Sequence, residues 1–316
     1  MVQYPVMNSP IKVAVIGVGK LGARHAEVYS KLDSVELVGV CDILDSRAKE
    51  TAHHCKTQSF HDYRDLLKKV DAANIVVPSQ HHHAISKDFL MHGVALLIEK
   101  PITTTLEEAD ALLDLAKEKN LIIQVGHIER YNSAIRAVKN VIKTPRFIEC
   151  HRLGPYDPRV ADTGVTLDLM IHDIDIVLDL IKSPIVSVDS VGAMILSKTE
   201  DIANARIRFA NRSVCDLTAS RVTKDIMRKI RIFQDDAYIS LDYVTQEALI
   251  YTKENGHIRH KTMEITKSDS LKEELADFID CVRHRKRPLV SGIEGRQALA
   301  LALQISSQIQ EDQNKL

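Results

Sequence analysis

The chain has 316 residues, 45% hydrophobic and 27% charged, which is enough for two ordinary globular domains. Its 42 Lys and Arg against 43 Asp and Glu argue against an extended nucleic-acid surface. No apolar run approaches the roughly 20 residues of a membrane helix, and the opening MVQYPVMNSP lacks the basic start and apolar centre of a signal peptide, so neither a nucleic acid nor a membrane is expected as a partner.

The first 125 or so residues alternate apolar runs with amphipathic segments. IKVAVIG (11–17), VELVGVCD (35–42), ANIVVP (73–78), ALLIEK (95–100) and LIIQVG (121–126) are near-continuous apolar runs, as expected of strands buried on both faces. Between them lie segments such as KLGARHAEVYSKL and TLEEADALLDLAKEK. This βαβ rhythm predicts a doubly wound parallel sheet, an α/β fold. A boundary is expected near residue 125, giving a dinucleotide-binding domain over 1–125 and a second domain over 126–316.

Directly after the first apolar run, Gly17, Gly19 and Gly22 form GxGxxG at the start of a helical segment. The first glycine permits a tight turn, the second lets the backbone approach a pyrophosphate, and the third lets helix pack on strand. Lys20 and Leu21 complete the loop, and the helix N-terminus offers free N–H groups to a phosphate. Asp42 ends the next strand, where an acid takes ribose hydroxyls. Its charge favours NAD, and Arg47 nearby keeps NADP open.

The fourth run leads into Ser79 and the triplet His81, His82 and His83. Adjacent histidines rarely converge on one ion, and no partner cluster with ligand spacing accompanies them, so no metal is expected. Glu99 and Lys100 close the fifth run before Pro101, at the carboxyl end of a strand where open α/β sheets bind ligands. HIERYN (127–132) follows the sixth run, and its polarity alone makes it an exposed linker.

After about residue 145 the rhythm changes. RFIECHRLG reads as a strand, and LDLMIHDIDIVLDLI (167–181) reads as a helix with Asp168, His172, Asp175 and Asp179 on one stripe at i, i+4, i+7 and i+11. Asp175 and Asp179 are expected on a solvated or domain-facing edge, and Asp173 off the stripe as a cap or domain contact. IVSVDSVGAMIL, DIANARIRF, RSVCDLTAS, RKIRIFQ, AYISLDY and EALIYT then follow at short intervals, as in an antiparallel sheet. SLKEELADFIDCVRH and IEGRQALALALQISSQIQ close the chain as helices. The five cysteines scatter without a CxxC pair and in odd number, which fits free thiols in a reduced, cytoplasmic setting.

VIGVGKLGARHAEVY, CDILDSRA, VPSQHHHAIS, IEKPI and the D-x-x-x-H of LDLMIHDID occur in the order seen in the Gfo/Idh/MocA oxidoreductases, which the chain resembles over nearly its whole length. The resemblance implies a Rossmann domain followed by an α+β domain with a large, mostly antiparallel sheet. The open face of that sheet would join a homodimer or homotetramer. It also implies a nicotinamide cofactor, a sugar or cyclitol substrate, Lys100, Asp168 and His172 as the catalytic residues, and Ser79, His82, Glu99 and Lys100 beside the cofactor. GHIERYN further resembles the subgroup that oxidises C3 of UDP-N-acetylated sugars, with Ser133 where proline is common. That subgroup implies an aminotransferase acting next, as in lipopolysaccharide or lipid A synthesis.

A nucleotide-sugar site needs donors for a diphosphate and hydrogen-bonding groups for the sugar. His127, Arg130, Tyr131, Asn132, Arg152 and Arg159 are the candidates. Hydride transfer from a carbinol needs a group that takes the hydroxyl proton. His172 is the expected base, Lys100 hydrogen-bonds the same oxygen, and Asp168 orients the imidazole or binds a hydroxyl. The reverse assignment, with Lys100 as base, stays open, as do a free cyclitol or aldose substrate and a non-catalytic dinucleotide sensor.

Overall fold

The early apolar runs form six parallel strands. In a computed structural model, which describes residues 9–157, 163–254 and 256–315, they are β1 (Ile11–Ile16), β2 (Val35–Cys41), β3 (Gln58–Phe60), β4 (Ala72–Ile75), β5 (Ala95–Glu99) and β6 (Ile123–Gly126). Their order is β3-β2-β1-β4-β5-β6, and every pairing is parallel. The order reverses between β1 and β4, so the carboxyl ends of those two strands form the switch point where such sheets bind ligands. Four helices connect the strands: α1 (Lys20–Tyr29), α2 (Asp45–Cys55), α3 (His82–Met91) and α4 (Leu106–Lys119). The start of α4 is fixed by a capping box, with Thr105 accepting from the Glu108 N–H and Glu108 reaching back to the cap.

Chain contacts divide the protein into two units, Met1–Ile128 with Asp269–Arg296 and Glu129–Ser268 with Gln297–Leu316. The predicted break near 125 is therefore followed by a return of the chain. A late helix, α7 (Ser270–His284), packs beside α1 and adds Leu271, Leu275 and Phe278 to the hydrophobic cluster that holds Val13, Val15 and Leu97 of the parallel sheet. Such a return leaves no local signal, because an amphipathic helix carries no label for the sheet it covers.

The second unit begins with α5 (Ser133–Lys139), β7 (Phe147–Leu153) and α6 (Ile171–Leu180). Seven strands follow: β8 (Ile185–Ala193), β9 (Ile202–Phe209), β10 (Val214–Ser220), β11 (Met227–Phe233), β12 (Ala237–Asp242), β13 (Glu247–Glu254) and β14 (His257–Thr262). With β7 they make an eight-stranded sheet in the order β14-β13-β12-β11-β7-β10-β9-β8, antiparallel except where β10 pairs with β7. Alternate residues Ile148, Cys150, Leu217, Ile230, Ile232 and Ile239 face a core that also takes Ile135, Ile174, Val177 and, from α8 (Gly292–Gln313), Ile305. The opposite face carries the ion pairs Arg206–Asp216 and Arg231–Glu149 and an aromatic row running from Phe147 through Phe233 and Tyr238 to Tyr251. All five cysteines are free and buried. No helix of the described residues is long and apolar enough to cross a membrane.

Candidate cofactor site and catalytic residues

The glycine loop shows a different physical need at each glycine. Gly17 has φ +86°, and a Cβ there would lie 2.5 Å from the Val76 carbonyl oxygen. A Cβ on Gly22 would lie 1.8 Å from the Gly17 carbonyl oxygen, so helix and loop touch only because Gly22 lacks a side chain. Gly19 differs, since its Cβ would meet nothing within 4 Å. That open space above the first turn of α1 is what a pyrophosphate approaching the backbone requires, so the residues fit a dinucleotide. Gly17→Ala is therefore expected to destabilise the fold by about 1–3 kcal/mol. Gly19→Ala should leave the melting temperature unchanged while weakening NAD binding about tenfold or more, measured by calorimetry.

Asp42 follows β2 and is 8% exposed. Its carboxylate accepts the Val18 N–H and the Leu44 N–H, both at 2.9 Å, which pins the acid against the glycine loop with lone pairs left for ribose hydroxyls. Lys20 and Leu21 are exposed, and Ser79 opens a short 3-10 turn after β4.

His82 turns inward instead. It is 1% exposed, with Nδ1 2.9 Å from the Pro101 carbonyl oxygen and Nε2 2.9 Å from that of Val77. The ring thus ties the loop after β4 to the turn after β5. Burial pushes its pKa down, against the carbonyls of Val77 and Pro101, which favour the proton. Its two ring nitrogens are thus taken up by main-chain carbonyls of the two loops. Glu99 is 9% exposed and accepts the Lys100 backbone N–H at 3.2 Å; Lys100 itself is half-buried. The histidine triplet gathers no ligand set, and among the described residues no group of three or more His, Cys, Asp or Glu is arranged to hold a metal.

In the second unit the acid–histidine helix departs from the expected stripe. Thr166–Met170 form a π-helical turn before α6, so Asp168 lies in π geometry and His172 in α geometry. The i+5 spacing of a π turn rotates Asp168 away from the position that i, i+4 stacking gives it. Both residues are half-buried. The entry to the turn is clamped: the Glu200 carbonyl accepts the Val165 N–H at 2.9 Å, and Arg221 donates to the Thr163 carbonyl at 2.7 Å.

The other three acids of the stretch are not a solvated edge. Asp173 and Asp175 are 2% and 1% exposed. Arg152 donates to both oxygens of Asp173 at 2.9 Å and to Glu129 at 2.9 Å, and its guanidinium lies over the Tyr243 ring at 5.3 Å. Arg130 grips Asp175 at 2.6 and 3.0 Å and Asp179 at 2.8 Å, and Asp179 also receives Lys139 at 2.7 Å. Burial opposes the Arg152 charge, but Asp173 and Glu129 outweigh it and hold the pKa well above the usual range. These partners correct two expectations. HIERYN is a buried framework segment, and Arg130 and Arg152 are occupied by carboxylates instead of standing free for a diphosphate. Asn132 caps α5 through the Ala134 N–H and donates to the Tyr243 carbonyl at 3.1 Å, so it too belongs to the framework. His127 and Tyr131 are buried, and Arg159 lies outside the described residues. A sequence signal did exist: acids on an otherwise apolar helix call for buried cations, and HIERYN and β7 supplied one each.

Residues 11–127 match the Gfo/Idh/MocA oxidoreductase family, NAD-binding Rossmann fold, and residues 136–240 match the Gfo/Idh/MocA C-terminal domain. The chain belongs to the Gfo/Idh/MocA family. It is similar to UDP-N-acetylglucosamine 3-dehydrogenase of Acidithiobacillus ferrooxidans, with 37% identity over 93% of this chain and 96% of the relative. A solved structure of that protein matches with a TM-score of 0.91 over 95% of this chain and 97% of the other. Myo-inositol 2-dehydrogenase of Thermotoga maritima is 24% identical over 95% of this chain and 97% of its own. The first unit is accordingly an NAD-binding Rossmann domain, and the protein is an oxidoreductase of the Gfo/Idh/MocA type, a dehydrogenase acting on a CH–OH group.

Proposed function

We propose that the protein oxidises the C3 hydroxyl of UDP-N-acetylglucosamine to the 3-keto sugar with NAD. The observation that carries this is the 37% identity over 93% of the chain to a protein of that activity. NAD, when bound at the glycine loop and Asp42, supplies the hydride acceptor. His172 takes the hydroxyl proton on a ring nitrogen. Lys100 donates a hydrogen bond to the same oxygen and stabilises its developing negative charge. Asp168 orients the imidazole or binds a sugar hydroxyl. With Arg130 and Arg152 paired, we assign substrate contacts to His127 and Tyr131 and recognition of the diphosphate to Arg159.

A free cyclitol is the second reading. Two of the three candidate diphosphate-binding arginines are neutralised by buried carboxylates, and a cyclitol needs no diphosphate contact. Incubation with NAD and a panel of UDP-sugars and inositols, followed by NADH absorbance, separates the two. NADH formation with UDP-N-acetylglucosamine alone supports the first, and formation with inositols alone overturns it.

We further assign a homodimer or homotetramer formed through the open face of the eight-stranded sheet, where Val191, Met227 and Phe233 are exposed, a state that light scattering reads directly. We further propose that the 3-keto product, a ketone of the kind an aminotransferase accepts, is aminated next, in lipopolysaccharide or lipid A synthesis. The five buried free thiols suit the cytoplasm.

A further inference from the structure

Four polar side chains of the first unit form a line that the glycine loop does not require. Tyr29 and His25 stand one turn apart on the buried face of α1, and Asn74 lies within β4; none is more than 1% exposed. Tyr29 Oη donates to Asn74 Oδ1 at 2.8 Å, and Asn74 Nδ2 lies 3.0 Å from His25 Nδ1. An amide nitrogen only donates, so Nδ1 accepts and the ring proton sits on Nε2. That Nε2 lies 3.4 Å from Glu99 Oε1 without a formed hydrogen bond, and it has no hydrogen-bond partner elsewhere among the described residues. A buried N–H is costly without an acceptor, and the Glu99 carboxylate is the acceptor within reach of a small side-chain adjustment.

The surroundings reserve space for this carboxyl group. Glu99 pairs with Gly126 of β6, where a Cβ would come within 2.8 Å of Oε1. The titratable or charged groups facing Glu99 are His25 from α1 and Lys100, the residue that follows it after β5. β6 presents Gly126, and β4 presents Asn74 one step further away; Glu274 acts on Tyr29 at the far end of the line. Burial holds His25 down at about 3, so the ring is neutral. Burial also pushes Tyr29 well up, so its hydroxyl keeps the proton it donates.

We propose that His25 is a positioning residue: locked by Asn74 and Tyr29 as the neutral Nε2–H tautomer, it holds the Glu99 carboxylate beside Lys100 and makes ionised Glu99 part of the active form. The kinetic part of this rests on the dehydrogenase function proposed above; the structural part does not.

Burial pushes Glu99 up to about 7, with the Lys100 charge pulling against it. A lost donor penalises the ionised form, so His25→Leu should raise the Glu99 midpoint by about one pH unit, whereas His25→Gln, which keeps an amide donor, should leave it near the wild-type value. Carbon-13 NMR of carboxyl-labelled glutamate reads this without substrate, and the Glu99→Gln spectrum assigns the signal. In kcat/KM profiles the acid limb should move up by the same amount in His25→Leu, and His25→Leu should add no shift in a Glu99→Gln background. An unmoved Glu99 titration in folded His25→Leu overturns the proposal, as does an equal limb shift in the Glu99→Gln background. If His25→Leu does not fold, Asn74→Leu frees the ring tautomer and is read in the same way. Absence of turnover with any UDP-sugar or inositol would instead count against the dehydrogenase function, while the NMR titration still decides the role of His25.

Discussion

Arg152→Leu is expected to lower the unfolding free energy by about 3–5 kcal/mol, because it strands the Asp173 and Glu129 carboxylates without their cation. Arg152, Asp173 and Glu129 are all within 8% exposure, and Arg152 is the partner of both acids. Urea unfolding at neutral pH measures the loss. Lys31→Leu is the control: Lys31 pairs with Glu27 at 2.6 Å, but its side chain is 68% exposed, so about 1 kcal/mol or less is expected. A framework role and a substrate-contact role for Arg152 part here. A framework arginine costs stability, and its folded fraction keeps the wild-type KM. A diphosphate contact would raise KM with little change in the unfolding midpoint, and that outcome would contradict the ion-pair assignment.

Lys100→Ala and His172→Ala are each expected to reduce kcat by about 100- to 10,000-fold, the range for removing a positioned proton-transfer group or a donor to a developing anion. NAD affinity should stay unchanged if, as proposed, the glycine loop and Asp42 carry most of the cofactor binding. Asp168→Asn should cost less, since it leaves a hydrogen-bonding group in place. Rates near wild type in either alanine variant would remove that residue from the mechanism.

What the sequence made legible divides along a physical line. The parallel sheet was readable because buried strands carry unbroken apolar runs, and the glycine loop because three backbone constraints coincide in six residues. β14, HIRHKT, was missed because every residue in it is exposed and no apolar alternation marks it. The return of α7 to the first unit was invisible because amphipathicity does not name a partner. The stretch LDLMIHDIDIVLDLI was half legible. Its helix was clear, but the π turn at Thr166–Met170 depends on main-chain clamps from Glu200 and Arg221, far away in sequence. Asp175 and Asp179 read as a solvated or domain-facing edge, and Asp173 as a cap or domain contact, because their arginines lie in other elements. His25 gave a quieter signal. Gly22, His25, Ala26 and Tyr29 are the buried residues of α1, and a histidine and a tyrosine on a buried face imply a polar partner, which Asn74 within an apolar strand supplies.

The central claim is that hydride leaves C3 of a UDP-linked N-acetylated sugar. UDP-N-acetylglucosamine carrying deuterium at C3, incubated with the protein and NAD, tests it by mass spectrometry of the reduced cofactor. The expected result is one deuterium in NADH together with a slowed single-turnover rate. NADH containing only protium, or turnover with inositols and none with the UDP-sugar, would contradict it.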